Sequence, residues 1–169
     1  MKTMKKVIAI VTFVCFANLS NAQAFQNKGN YLSGGVGLDF YTVGYRSLGP
    51  FMVTYERGIT DLLGIGRIGV GGGLAQTFYH DAFTTSYSRT SLIGRAAYHF
   101  EFDNEKMDVY AGVGLSFHLF SGYKPSFTPV ARYHYIFGGI RYYFTESIGV
   151  YGELGLGIAS LMGGIVYRF

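Results

Sequence analysis

The sequence predicts an all-β fold, an eight-stranded antiparallel up-and-down transmembrane β-barrel. Three observations carry that prediction. Apolar residues alternate with glycine or polar ones at a period of two, over segments long enough for tilted membrane strands, which need about 9–11 residues. The 169 residues include 25 Gly, 15 Tyr and 15 Phe but only 14% charged residues, where an ordinary soluble domain has roughly 25% charged residues and about 7% Gly. Gly-x-Gly followed by Leu or Ile recurs in every second strand. Disorder is excluded, because disordered chains are charge-rich and aromatic-poor. Collagen is excluded by the 3 Pro and the lack of a triplet period. A membrane-spanning helix needs about 20 consecutive apolar residues, and the longest apolar stretch, Val7 to Ala17, is too short.

Met1 to Ala24 reads as a cleaved Sec-type signal peptide. Lys2, Lys5 and Lys6 form a basic start, Val7 to Ala17 an apolar centre, and Ala22-Gln-Ala24 a small-residue cleavage site. The barrel domain then begins at Phe25, or at Gln23 if Ser20-Asn-Ala22 is used instead. Cleavage takes the basic residues from 14 to 11 against 10 acidic ones, and the net charge from +4 to +1. The basic pI of about 9.1 therefore belongs largely to the discarded segment, and nucleic-acid binding loses its support. The single Cys, Cys15, lies in the apolar centre behind Phe13 and Val14, not at a lipoprotein cleavage point. The mature domain is expected to be cysteine-free and to depend on packing and backbone pairing.

Eight strands are expected: Asn30 to Phe40, Phe51 to Gly58, Leu63 to Thr77, Arg89 to Phe102, Met107 to Leu119, Val130 to Phe144, Ile148 to Ile158 and Leu161 to Phe169. Short connections at Thr60-Asp61, Asp103 to Lys106 and Thr145 to Ser147 alternate with longer ones at Tyr41 to Pro50, Phe78 to Ser88 and Phe120 to Pro129. Tight turns on one side and longer loops on the other are the pattern of an outer-membrane barrel. The last connection, Ala159-Ser160, departs from it.

One strand face is apolar, with Leu32, Val36, Val53, Leu74, Leu92, Val113, Ile140 and Leu154 among its members. The other carries Glu56, Arg67, Arg95, His99, Arg141, Tyr151, Glu153 and Arg168. An eight-stranded interior is only just wide enough for side chains to fill, so the large apolar set fits outside and the glycine-plus-charge face fits inside. Closure also pairs every backbone polar group, as a bilayer demands. The repeat glycines Gly35, Gly37, Gly71, Gly73, Gly112, Gly114, Gly155 and Gly157 all share the inward parity, leaving room for large side chains on the facing wall. Outward aromatics gather at both ends, Tyr98, Phe100, Tyr142, Phe144, Tyr167 and Phe169 at one and Phe40, Phe51, Phe78, Phe117 and Phe120 at the other, as two interfacial girdles would.

Buried charges persist only when paired, so Glu56, Arg67, Arg95, His99, Arg141 and Glu153 are expected to form an ionic network that plugs the lumen. A two-residue Thr60-Asp61 turn would set Thr54 opposite Arg67, with Glu56 diagonal. Pairing Phe144 with Ile148 sets Arg141 opposite Tyr151, diagonal to Glu153. The Asp103 to Lys106 turn pairs His99 with Tyr110 and His118 with Ser91, which separates the histidines, and His80-Asp81 falls in a loop; no metal site or cofactor is expected. Ser116 and His118 are neighbours on the inward face, but a nucleophile needs a base and a third group to orient it. No acid is evident, so no catalytic residue is assigned. Gly64-Ile-Gly66-Arg-Ile-Gly69 matches a nucleotide-binding pattern only in letters, because no helix follows it. Lys124 and Arg132, with loop tyrosines, form a candidate rim for lipopolysaccharide phosphates.

The C-terminal strand, Leu161 to Phe169, alternates Ile165, Tyr167 and Phe169 outward. It resembles the assembly signal read by the barrel-assembly machinery of Gram-negative outer membranes. With the Tyr55-Glu-Arg-Gly-Ile-Thr-Asp61 hairpin and the Gly-rich strand after it, the chain resembles the porin-family outer-membrane β-barrel domain, related in design to OmpA-type and OmpX-type eight-stranded barrels. The resemblance implies location in the cell outer membrane, contact with its lipid and lipopolysaccharide, and the assembly machinery as a partner during insertion. With the chain stopping at Phe169, the peptidoglycan-binding domain of OmpA-type proteins is not expected. The function expected is a filled, non-enzymatic barrel with a structural or surface-interaction role and an unidentified surface protein as a candidate partner. A narrow porin-like channel for ions or small solutes comes second and a lipid-modifying enzyme third.

Overall fold

A computed structural model describes residues 24–40, 46–80, 86–102, 104–122 and 132–169, without the side chains of Arg46, Arg132 and Tyr133. The expected signal peptide up to residue 23 and Lys124 lie outside these residues, as does the Arg132 side chain. Eight strands follow in order: β1 Asn30–Leu38, β2 Arg46–Gly58, β3 Gly66–His80, β4 Ser86–Phe100, β5 Met107–Ser121, β6 Arg132–Tyr143, β7 Ile148–Leu156 and β8 Leu161–Arg168. Each pairs antiparallel with the next, and β8 returns to β1, so the sheet is a closed barrel. At the end that carries the termini, Asn30 and Phe169 exchange backbone hydrogen bonds of 3.1 and 3.3 Å.

The period-two pattern sets the faces as the sequence implies. Outward residues such as Leu74, Val113, Leu154 and Ile165 are 57–65% exposed, while Tyr31, Tyr143 and Val166 on the inner wall are fully buried. Two pairings follow from turn length alone. The 101–106 connection sets His99 against Tyr110 and Ser91 against His118, and the 144–147 connection sets Arg141 against Tyr151 and Gly139 against Glu153.

The β2–β3 register differs from expectation. Thr54 pairs with Gly73 and Glu56 with Gly71, while Arg67 pairs with His99 of β4. The connection is the whole of 59–65, because Gly64 takes the left-handed turn conformation (φ 67°) and the Leu63 N–H donates to the Gly66 carbonyl at 2.7 Å. Thr60 works inside the turn, its hydroxyl accepting from the Ile68 N–H at 2.8 Å. The shift is an even number of residues, so no side chain changes face.

At the opposite end, β2 to β5 run on into segments read from sequence as loop. Arg46 to Leu48 pair with Phe78 to His80, and His80 with Ser86. Among the described residues, pairing of β2 with β1 stops at Phe51, and pairing of β5 with β6 stops at Phe117. Among the described residues, β2 to β5 thus continue as a four-stranded sheet past the rest of the wall. β7 ends earlier than expected, at Leu156. Gly157 is therefore a turn glycine with φ 111°, not one of the inward strand glycines. The other seven repeat glycines lie in strands. A Cβ on Gly112 would collide with the Ala96 carbonyl and the Phe137 ring, and one on Gly73 would come within 2.7 Å of the Thr54 methyl.

Candidate functional site

The lumen is the candidate site, and inward parity on five strands builds it. β2 supplies Glu56, β4 Arg95 and His99, β5 Asp108 and Tyr110, β6 Tyr135, Phe137 and Arg141, and β7 Glu153. The charged groups among them are at most 6% exposed. Glu56 is the hub: it accepts from Arg141 Nη2 at 2.8 Å, it bonds to His99 Nε2, and Arg95 Nε lies 3.9 Å away. Asp108 takes His99 Nδ1 at 2.9 Å and Arg141 Nη1 at 3.3 Å. Glu153 receives Arg95 Nη2 at 2.9 Å and the Tyr110 hydroxyl at 3.1 Å, and the Tyr135 hydroxyl bonds to its other oxygen.

Aromatic faces complete the cradle. The Arg95 guanidinium lies 3.8 Å from the Phe137 ring centroid, and that of Arg141 lies 4.7 Å from Tyr110 and 5.4 Å from Tyr31. Three carboxylates face two guanidiniums. His99 has a carboxylate oxygen at each ring nitrogen, so it donates on both sides as an imidazolium. With that charge, the six groups sum to zero.

Both ends of the lumen are occupied as well. On the terminal side, Phe25 is buried against His99, with rings parallel at 3.5 Å, and against Tyr31 at 4.6 Å. The segment around it is tied down by Lys28 N–H to the Gly58 carbonyl at 2.9 Å and by Asn27 to Asp61 at 2.7 Å. Below it lies a vestibule of about 300 Å³ lined by Arg67, Glu101, Glu105 and Asp108. Toward the other end, Met52, Ile93, Ile158 and Met162 pack together. Arg89 closes above them against Asp39 at 3.5 Å and the Ile158 carbonyl at 3.3 Å.

Of the six charges singled out from sequence, Glu56, Arg95, His99, Arg141 and Glu153 come together. Arg67 does not: the longer β2–β3 turn sends it to the rim, where it bonds Glu101 at 2.8 Å and the Phe25 carbonyl at 2.9 Å. Asp108 was missed because it stands just past a turn, although the outward parity of Val109 puts it inside. Phe25 precedes the first strand and carries no periodic signal. His118 sits between two buried serines, with Ser91 Oγ at 2.7 Å from Nδ1 and Ser116 Oγ at 3.4 Å from Nε2. A hydroxyl thus occupies the place where a triad needs a carboxylate. His80 pairs with Ser86 at 2.7 Å. Among the described residues, no group of three or more His, Cys, Asp or Glu side chains is arranged to hold a metal ion.

No protein-family model matches the chain, and no curated protein does. Among solved structures, the chain is similar to the backbone structure of the Yersinia pestis outer membrane protein Ail in a phospholipid bilayer nanodisc. The TM-score is 0.52 at 14% identity, covering 85% of this chain and 100% of that one. The shared property is the fold, an all-β barrel of eight antiparallel strands.

Proposed function

We propose that this chain is an integral outer-membrane barrel, non-enzymatic and with a filled lumen, that serves envelope structure or surface interaction. The observation that carries the reading is the inverted distribution of side chains. Large aliphatic and aromatic groups cover the outside of the closed sheet, and Glu56, Arg95, Asp108, Arg141 and Glu153 are buried inside it, with Arg57 exposed at the end of β2. Soluble monomers rarely expose contiguous apolar patches beyond a few hundred Å², whereas lipid requires such a surface. Similarity of fold to a barrel solved in a bilayer nanodisc supports the same reading.

The surface role rests on the sheet formed by β2 to β5, which extends beyond the lumen residues at the end opposite the termini. Lipopolysaccharide at Lys124 and Arg132 belongs to this proposal, as does the barrel-assembly machinery at Ile165, Tyr167 and Phe169. Density-gradient fractionation of Gram-negative cells with an alkaline wash tests the location. The protein should sediment with outer-membrane markers and resist extraction; recovery in the periplasmic or wash fraction would overturn the proposal.

A further inference from the structure

The turn joining β2 to β3 has the wrong chemistry for water. The other two connections at this end, 101–106 and 144–147, each hold one exposed aromatic, Phe102 and Phe144, but are otherwise polar, with Glu101, Asn104, Glu105 and Lys106 in one and Thr145, Glu146 and Ser147 in the other. Residues 59–65 instead present Ile59, Leu62, Leu63 and Ile65, which are 51–70% exposed. The sole charge in this stretch, Asp61, accepts a hydrogen bond from Asn27 at 2.7 Å. Turns favour Gly, Asn, Asp, Ser and Pro for backbone reasons, so four large aliphatics need a partner.

The turn is fastened to the outer wall of the barrel. Tyr98, on the outward face of β4, donates its hydroxyl to the Leu63 carbonyl. Its ring packs edge-on against outward Phe100, with centroids 5.1 Å apart. A Cβ on Gly66 would collide with the His99 carbonyl and come within 2.6 Å of the Tyr98 ring, so glycine there leaves room for both the neighbouring strand and the ring. The apolar turn therefore continues the outward apolar band through the aromatic pair that borders it.

We infer that residues 59–65 form an apolar foot seated in the headgroup–acyl boundary of the periplasmic lipid leaflet. This rests on the transmembrane reading and names a lipid contact beyond the barrel wall. Apolar side chains beside tyrosine, with no lysine or arginine between Gly58 and Gly66, suit that boundary. The outward band ending at Tyr98 and Phe100 places the foot directly below it.

The chain contains no Trp, so single tryptophans report their own surroundings. Leu63→Trp is compared with Leu74→Trp on the outer wall and Glu105→Trp on a polar turn. Each is folded into vesicles of phosphatidylcholine brominated either near the headgroup end or deep in the acyl chain, with Ile65→Trp as a second probe of the foot. Leu74→Trp should be quenched by the deep bromines. Leu63→Trp should be quenched by the shallow bromines at least about twofold more than Glu105→Trp, as burial about 5–10 Å into the interface requires. If Leu74→Trp is quenched while both foot probes match Glu105→Trp and are reached by aqueous iodide, the foot is refuted and the barrel stands. Foot emission that is shielded from iodide but untouched by brominated lipid would show protein contact instead and also refute it. An unquenched Leu74→Trp would refute the transmembrane reading itself.

Discussion

Glu56 concentrates the electrostatics of the lumen, since one carboxylate meets Arg141, His99 and Arg95. Glu56→Gln keeps the shape but leaves Asp108 and Glu153 facing more positive charge than they balance. Breaking a buried pair by removing one partner costs about 3–5 kcal/mol. Urea titration of the protein in detergent micelles should show a loss of that size, and a change below about 1 kcal/mol would mean that water screens the network. Parity alone made Glu56, Arg95, His99, Arg141 and Glu153 legible in the sequence, because period two assigns a face without needing the register. Arg67 shared the parity but not the place: its height along the barrel depends on a turn length that Thr60-Asp61 understated. Phe25 was illegible, because its burial comes from a contact with His99 on a distant strand and not from any local pattern.

At the scale of the strand, glycine has two uses here, and substitution separates them. Gly112 faces inward, where a Cβ would meet the Ala96 carbonyl and the Phe137 ring; Gly94 faces outward, where a Cβ would meet nothing within 4 Å. Gly112→Val should destabilise by roughly 1–3 kcal/mol, as overpacking does, while Gly94→Val should stay within about 0.5 kcal/mol. Both are read from unfolding midpoints, and equal effects would contradict the assigned faces. Strand existence and facing were legible from alternation. Strand length was less so, since Arg46-Ser-Leu48 and Phe78-Tyr-His80 look like loop while their pairing with each other makes them sheet, with Gly49 and Pro50 in an irregularity between Leu48 and Phe51. Asp103 to Lys106 and Thr145 to Ser147 understate the connections, which run over 101–106 and 144–147, but each is centred correctly, so the register of the adjoining strands was legible too.

For the whole molecule, closure and inversion go together: sealing β1 to β8 leaves no edge in the wall, and the wall turns its apolar side outward. Val113, 60% exposed on that side, tests the inversion. Arg at a lipid-facing midplane position costs about 2–4 kcal/mol, so Val113→Arg should destabilise the bilayer-inserted protein by that amount, and by less in detergent micelles, whose thinner apolar layer lets the guanidinium reach water. A similar small effect in both settings would put Val113 out of contact with the bilayer core. The central claim is that Phe25, the Glu56–His99–Asp108–Arg141 cluster, the Arg95–Glu153 pair and the packed Met52, Ile158 and Met162 together close the lumen. Single-channel recording of the purified protein in planar bilayers tests it most directly: the filled lumen gives a silent membrane, and sustained, reproducible unitary conductance would contradict it.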